Sequence, residues 1–347
     1  MNLEQKIGQL IIIGFEGHSV HPTSPVIADI KKRNLGGVIL FDRFLAKKSA
    51  DHNILSAGQT TELISNMQDA ADGALLVAVD QEGGKVNRFK AERGFAETPP
   101  AAVLGNNADT SATAAAAEQT ARLLAQLGIN LNLAPVVDLD SYAENPIIGT
   151  YQRSFSPDPE TVTAHALTWI NAHRKHNIRC CLKHFPGHGS ARADSHLGFV
   201  DITQTWRESE LIPYRRLISA AAVDAVMTGH LYNSVLDSEY PATLSSKTVT
   251  GLLRGVLGFT GPVLSDDLQM RAITGRYGLA EAACMALSAG VDLLIFGNNL
   301  DYDPAIVSVV VQAVSRAVRC GTLSGETIDA AWQRVQLLKQ SQPISQT

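Results

Sequence analysis

Eight short, consecutively apolar runs rich in β-branched residues punctuate the chain: 10–15 (LIIIGF), 36–41 (GGVILF), 74–80 (ALLVAVD), 129–138 (INLNLAPVVD), 178–185 (IRCCLKHF), 224–230 (DAVMTGH), 262–267 (PVLSDD) and 292–297 (DLLIFG). Between most of them, stretches such as 56–71, 110–127, 159–176 and 206–223 place apolar residues three and four apart, which predicts helices with one buried face. Strands that are apolar throughout are covered on both faces, and when they alternate with helices they form a parallel sheet. Eight repeats predict an α/β fold of the TIM-like (β/α)8 barrel type, a single domain over 1–341, with 342–347 a loose C-terminal tail. Residues 304–318 and 325–338 read as closing helices, the second opened by Ser324.

The rival architecture is an open doubly wound sheet, which would carry a glycine-rich phosphate turn after an early strand. Neither GxGxxG nor GxxxxGK followed by Ser or Thr occurs. Polar residues instead gather where each apolar run ends: Asp42, Asp80, Asp138, Lys183 with His184, His230, Asp266 with Asp267, and Asn298. Barrel enzymes keep their chemistry at that end of the strands.

Composition narrows the partners. Of 347 residues 45% are hydrophobic, and 29 basic against 34 acidic residues leave a net charge of −5 with no basic stripe, which argues against nucleic acid. The opening MNLEQKIGQLIIIGF is too short to span a bilayer and lacks the basic start of a secretory leader, so no membrane partner and a cytoplasmic location are expected. Cys180, Cys181, Cys284 and Cys320 lack metal or redox spacing and read as small buried hydrophobes.

The densest chemistry lies in Lys183–His196, KHFPGHGSARADSH, at the end of a strand and the start of a roughly twenty-residue loop, 187–205. Asp194 and His196 are two apart, so in an extended segment they share a side, and a carboxylate there fixes the tautomer of an imidazole suited to acid–base work. A backbone-capping carboxylate beside a solvated histidine is the bland alternative. Lys183 and His184 are expected to point at a ligand, whereas His173 and His176 are expected to lie solvated on a helix face. Only one of the successive Asp266 and Asp267 should look into the barrel mouth, as nucleophile, general base or metal ligand, unless the pair merely caps a helix. In VDQEGGKVNRF, Asp80 and Arg88 offer the acceptor and forked donor that a sugar needs, though they could simply pair with each other. Arg153, in YQRSFSPDP, is open to the same two readings.

KHFPGHG-x4-DSH, with VDQEGGKVNRF, QRSF and SDDLQM in that order, resembles the catalytic domain of glycoside hydrolase family 3, in its bacterial β-N-acetylglucosaminidase branch. The similarity runs from Leu3 through Gly297. It implies Asp266 as nucleophile and His196 as acid/base assisted by Asp194. It implies Asp80, Arg88, Arg153, Lys183 and His184 as holders of a terminal N-acetylglucosamine, and gives Asp267 no role. The chain departs from the pattern at Lys85, where arginine is common, and in SARA after GHG, where an aspartate often follows. The implied reaction is retaining hydrolysis in two displacements, with the His196 loop closing over bound sugar, no cofactor and no metal. The implied substrate is a carbohydrate, by analogy a cell-wall muropeptide fragment, and the chain is expected to be a monomer or weak homodimer.

Three rivals stand beside that reading. A metal-dependent barrel hydrolase would gather His184, His188, His196, His230 and an aspartate on zinc. A phosphorylase would exploit an imidazole that, unlike a carboxylate, does not repel phosphate. A sugar-binding barrel would have no turnover.

Overall fold

The computed structural model describes residues 1–107 and 109–340; the expected loose tail 342–347 lies outside the described residues. The eight apolar runs form eight parallel strands: β1 Ile11–Gly14, β2 Gly37–Leu40, β3 Leu76–Val79, β4 Leu131–Asn132, β5 Arg179–Phe185, β6 Ala225–Thr228, β7 Val263–Ser265 and β8 Leu294–Phe296. Their order is β8-β1-β2-β3-β4-β5-β6-β7. Apart from half-buried Arg179, every strand residue is buried, which is why the runs show no polar alternation.

The barrel closes between β7 and β8 through a parallel bridge, Leu264 to Leu293. The Ser265 N–H donates to the Leu293 carbonyl at 2.9 Å, and the Ser265 hydroxyl accepts the Ile295 N–H at 2.9 Å. Below this seam, Asp292 is fully buried. Its Oδ2 accepts from Arg254 at 2.6 Å and from the Val263 N–H at 2.8 Å, while Oδ1 accepts from Arg334 at 2.9 Å. One carboxylate thus ties the seam to the outer helices Lys247–Val256 and Gly325–Lys339.

Helices Pro25–Arg33, Ala57–Ala70, Ser111–Leu127 and Pro159–Lys175 fill the first four crossovers. The expected 206–223 helix is shorter than its pattern: a 3-10 turn, Glu208–Leu211, precedes a helix Ile212–Ser219. Pro213 accounts for the late start, because proline suits the first turn of a helix and not its interior. Closing helices run Ile306–Arg319 and Gly325–Lys339. Among the described residues no helix is long and apolar enough to cross a membrane.

Two expectations need correction. His173 is not solvated but fully buried. Its Nδ1–H donates to the Trp169 carbonyl at 2.9 Å and its Nε2 accepts from Asn132 on β4 at 3.1 Å, and burial pushes the imidazole down to about 4. Nor is His176 free, since it pairs with Glu118 at 2.6 Å. Among the cysteines, Cys180 and Cys181 are buried, but Cys284 is half-buried and Cys320 exposed.

Removing one partner of a buried ion pair leaves a buried charge uncompensated. Asp292→Ala should therefore lower stability by about 3 kcal/mol, seen as an earlier denaturant midpoint with an unchanged slope.

Candidate active site

The site grows from the C-terminal ends of the strands. The β5 segment delivers Lys183, whose side chain is only 2% exposed although it carries a charge. Such a group survives burial only among carboxylates. Two answer it: Asp80, just past β3, at 2.8 Å and Glu82 at 2.6 Å. Arg153 grips the same Glu82 with two parallel hydrogen bonds of 2.8 Å, and its Nη1 donates to the Ile147 carbonyl at 3.1 Å. Arg88 reaches Asp80 at 3.3 Å and Asp42, past β2, at 3.6 Å. Three cations and three carboxylates therefore lock into one lattice along the cleft wall.

The lattice fixes protonation. Burial pushes the Glu82 carboxyl up, but Arg153 and Lys183 outweigh it and hold it down at about 2. Asp80 is also held below its ordinary value, with Lys183 and Arg88 overcoming burial. Lys183 is raised: burial disfavours its charge, but Asp80 and Glu82 more than compensate. Asp80, Glu82 and Lys183 are therefore held in their ionised forms.

His184 is set beside it. Its Nδ1–H donates to Asp138, past β4, at 2.6 Å, which leaves Nε2 toward the cleft, 3.4 Å from Arg153 Nη2. Opposite, at the end of β7, the Asp266 N–H donates to Thr228 on β6 at 3.1 Å. Among the described residues no Lys or Arg pairs with its carboxylate. Burial opposes its ionisation, yet His230, His184 and His196 nearby bring it below the ordinary carboxylate value. Asp267 differs: burial pushes it up to about 6, and its Oδ1 accepts the N–H groups of Gly297 and Gln269, each at 2.9 Å. Both aspartates border the cleft, contrary to the expectation that only one would, but Asp267 serves as a backbone cap.

His196 stands across the same cleft on the loop after β5. Its Nδ1–H donates to Asp194 at 2.8 Å, and its side chain is 51% exposed. The two face one another as the spacing predicts. The cleft, about 380 Å³, is lined by Asp80, Arg88, Arg153, Lys183, His184, Asp194, His196 and Asp266, so every residue that the family resemblance implicates borders one space, whereas the strand-end residues Asp138, His230 and Asn298 do not. Lys85 lies over the Tyr151 ring at 4.7 Å on the rim.

Sequence reasoning missed Glu82, and it named Asp138 without its role as the partner of His184. Glu82 could have been found: it lies two positions beyond Asp80, and buried Lys183 with Arg153 demands more than one carboxylate. The histidines of the zinc reading do not converge. His230 donates from Nε2 to the Asp267 carbonyl at 2.9 Å, and among the described residues no three His, Cys, Asp or Glu side chains are grouped to hold a metal ion.

The fold and this cleft define a barrel with an imidazole–carboxylate pair, His196 and Asp194, set opposite a wall of paired charges at the C-terminal ends of its strands. Residues 2–338 match the model for the glycosyl hydrolase family 3 N terminal domain, and the chain belongs to that family. It is 40% identical to a beta-hexosaminidase from Tolumonas auensis over 276 residues, 78% of each chain. Its structure superposes on a beta-N-acetylhexosaminidase from Beutenbergia cavernae with a TM-score of 0.85, at 30% identity and 98% coverage of both chains. A family 3 beta-N-acetylglucosaminidase from Paenibacillus superposes with a TM-score of 0.89 at 34% identity, covering 98% of this chain and 62% of that longer one. The chain is a glycoside hydrolase.

Folding lowers the Glu82 pKa, so its ionised form stabilises the protein above the unfolded value of 4.5, and that contribution fades as pH falls toward 2. Glu82→Gln should be less stable than the parent by about 3 kcal/mol at pH 7, and the gap should narrow in unfolding curves recorded below pH 4.5.

Proposed function

We propose that the chain is a retaining exo-β-N-acetylglucosaminidase that removes terminal β-linked N-acetylglucosamine through a covalent glycosyl–Asp266 intermediate. The observation that carries this reading is the placement of an ionised carboxylate, Asp266, which among the described residues has no Lys or Arg partner, in one cleft with the His196–Asp194 pair. A nucleophile must keep its lone pairs free of a strong cation, and an acid must reach the leaving oxygen. The names of the beta-hexosaminidase relatives support the choice of sugar.

In this mechanism the lattice of Asp80, Arg88, Arg153 and Lys183, with His184, holds the hydroxyls of the terminal sugar. Asp266 attacks C1 while His196, its Nδ1–H held by Asp194, protonates the leaving oxygen from Nε2. His196 then takes a proton from water, which releases the sugar with its configuration retained. The proposed physiological substrate is a soluble cell-wall fragment, met in the cytoplasm.

Asp266→Asn should abolish trapping of a glycosyl-enzyme by mass spectrometry. His196→Ala should lower kcat by about 10²- to 10⁴-fold while leaving the adduct on Asp266 trappable. An adduct on any other residue would overturn the assignment. Product should be free sugar whether or not phosphate is present; a sugar phosphate would favour the phosphorylase reading instead.

A further inference from the structure

The His196 loop divides into a clamped stem and an exposed tip. At the stem, the His188 N–H donates to Asp138 at 2.8 Å and the Gly189 N–H donates to Glu210 Oε2 at 3.1 Å. Asn145 donates to the carbonyls of both, at 2.8 and 3.1 Å. Every N–H and carbonyl of His188–Gly189 thus meets a buried side chain. At the tip Leu197 is 78% exposed, beside half-exposed His196. The far end is tethered where Val200–Asp201 pairs with Leu231–Tyr232.

Of the three clamping side chains, Asp138 also orients His184, and Asn145 also caps Ile147 and Ile148. Among the described residues Glu210 makes no hydrogen bond to a cleft-lining side chain. Among the described residues its carboxyl has one well-formed hydrogen bond, from the Gly189 N–H, and its Oε1 has no partner. It is 1% exposed, in the 3-10 turn Glu208–Leu211, and no Lys or Arg among the described residues pairs with it. Burial pushes the carboxyl up to about 7, against the Ser190 hydroxyl and the N–H groups of Gly189 and Arg207, which favour its charge. Keeping a carboxyl in the interior without a cation costs free energy, so its position calls for a compensating role. It also meets the loop sterically. Gly187 has φ +124°, and a Cβ there would lie 2.6 Å from both Cβ and Oε2 of Glu210. Glycine alone lets the chain turn this close over the carboxyl.

We propose that Glu210 is a positioning residue for the acid–base histidine: by fixing the Gly187–Gly189 pivot, it sets the arc on which His196 reaches the leaving oxygen. This rests on the reading of His196 given above. Glu210 does not border the cleft and acts only through the loop.

A double-mutant cycle tests it. Glu210→Ala should lower kcat by about 10- to 100-fold, the scale of a misplaced catalytic group, with KM within about threefold because the sugar-holding lattice is untouched. In the His196→Ala background the same substitution should cause no further loss. Glu210→Gln, whose amide oxygen still accepts from Gly189, should recover to within about fivefold of the parent. If the alanine variant does not fold, Glu210→Asp, with its carboxylate withdrawn by one methylene, carries the same comparison. Equal losses in both backgrounds, or an unchanged kcat beside an impaired His196→Ala, would overturn the proposal. An unimpaired His196→Ala would remove the parent reading, and this one with it.

Discussion

Burying Lys183 at the mouth of the barrel is the constraint from which the rest of the site follows. An ammonium out of water is tolerable only with carboxylates in contact, and Asp80 and Glu82 supply them at 2.8 and 2.6 Å. Two carboxylates on one lysine leave surplus negative charge, which Arg153 and Arg88 absorb. Each of these charges meets an opposite one, so the lattice presents donors and acceptors in set directions to anything entering the cleft. Pre-organisation of this kind limits the entropy lost on binding a hydroxyl-rich ligand, because none of these side chains must be ordered at the moment of binding.

The same constraint separates the two halves of the cleft. Cations are committed to the β3–β5 side, and among the described residues the carboxylate at the end of β7 is left without one. Imidazoles stand near it instead: His230, held by the Asp267 carbonyl and by Thr243 at 2.8 Å, and His184, held by Asp138. Adjacent aspartates then diverge: the imidazoles bring Asp266 below its ordinary value against burial, whereas burial, with the charge of Asp266 beside it, raises Asp267 to about 6 despite the backbone N–H groups that favour its ionised form.

Much of this was legible in the chain. The eight buried strands announced themselves as uninterrupted apolar runs, since a parallel barrel strand has no wet face to encode. Strand-end polar residues marked the mouth for the same reason. Three things were not legible, each because it depends on what the chain packs against. The buried state of His173 is set by contact with Asn132, 41 positions away. Glu82 looked like any acidic residue in a glycine-bearing loop until Lys183 and Arg153 were brought beside it from distant segments. Glu210, in an amphipathic stretch, carried no mark at all, because its partner is a backbone amide, and backbone amides have no sequence signature.

The proposed placement of acid–base work on an imidazole fits a half-exposed loop position. A carboxyl group that must donate a proton near neutrality has to be buried to raise its pKa, and a loop tip open to solvent cannot supply constant burial. An imidazole can donate a proton in one step and accept one in the next through the same nitrogen. What the protein must add is direction. Asp194 supplies it locally, by holding Nδ1–H so that Nε2 is the nitrogen left free for the proposed proton transfer. In the proposal for Glu210, the clamped peptide groups of His188 and Gly189 supply it at longer range, by fixing the stem from which the His196 segment extends.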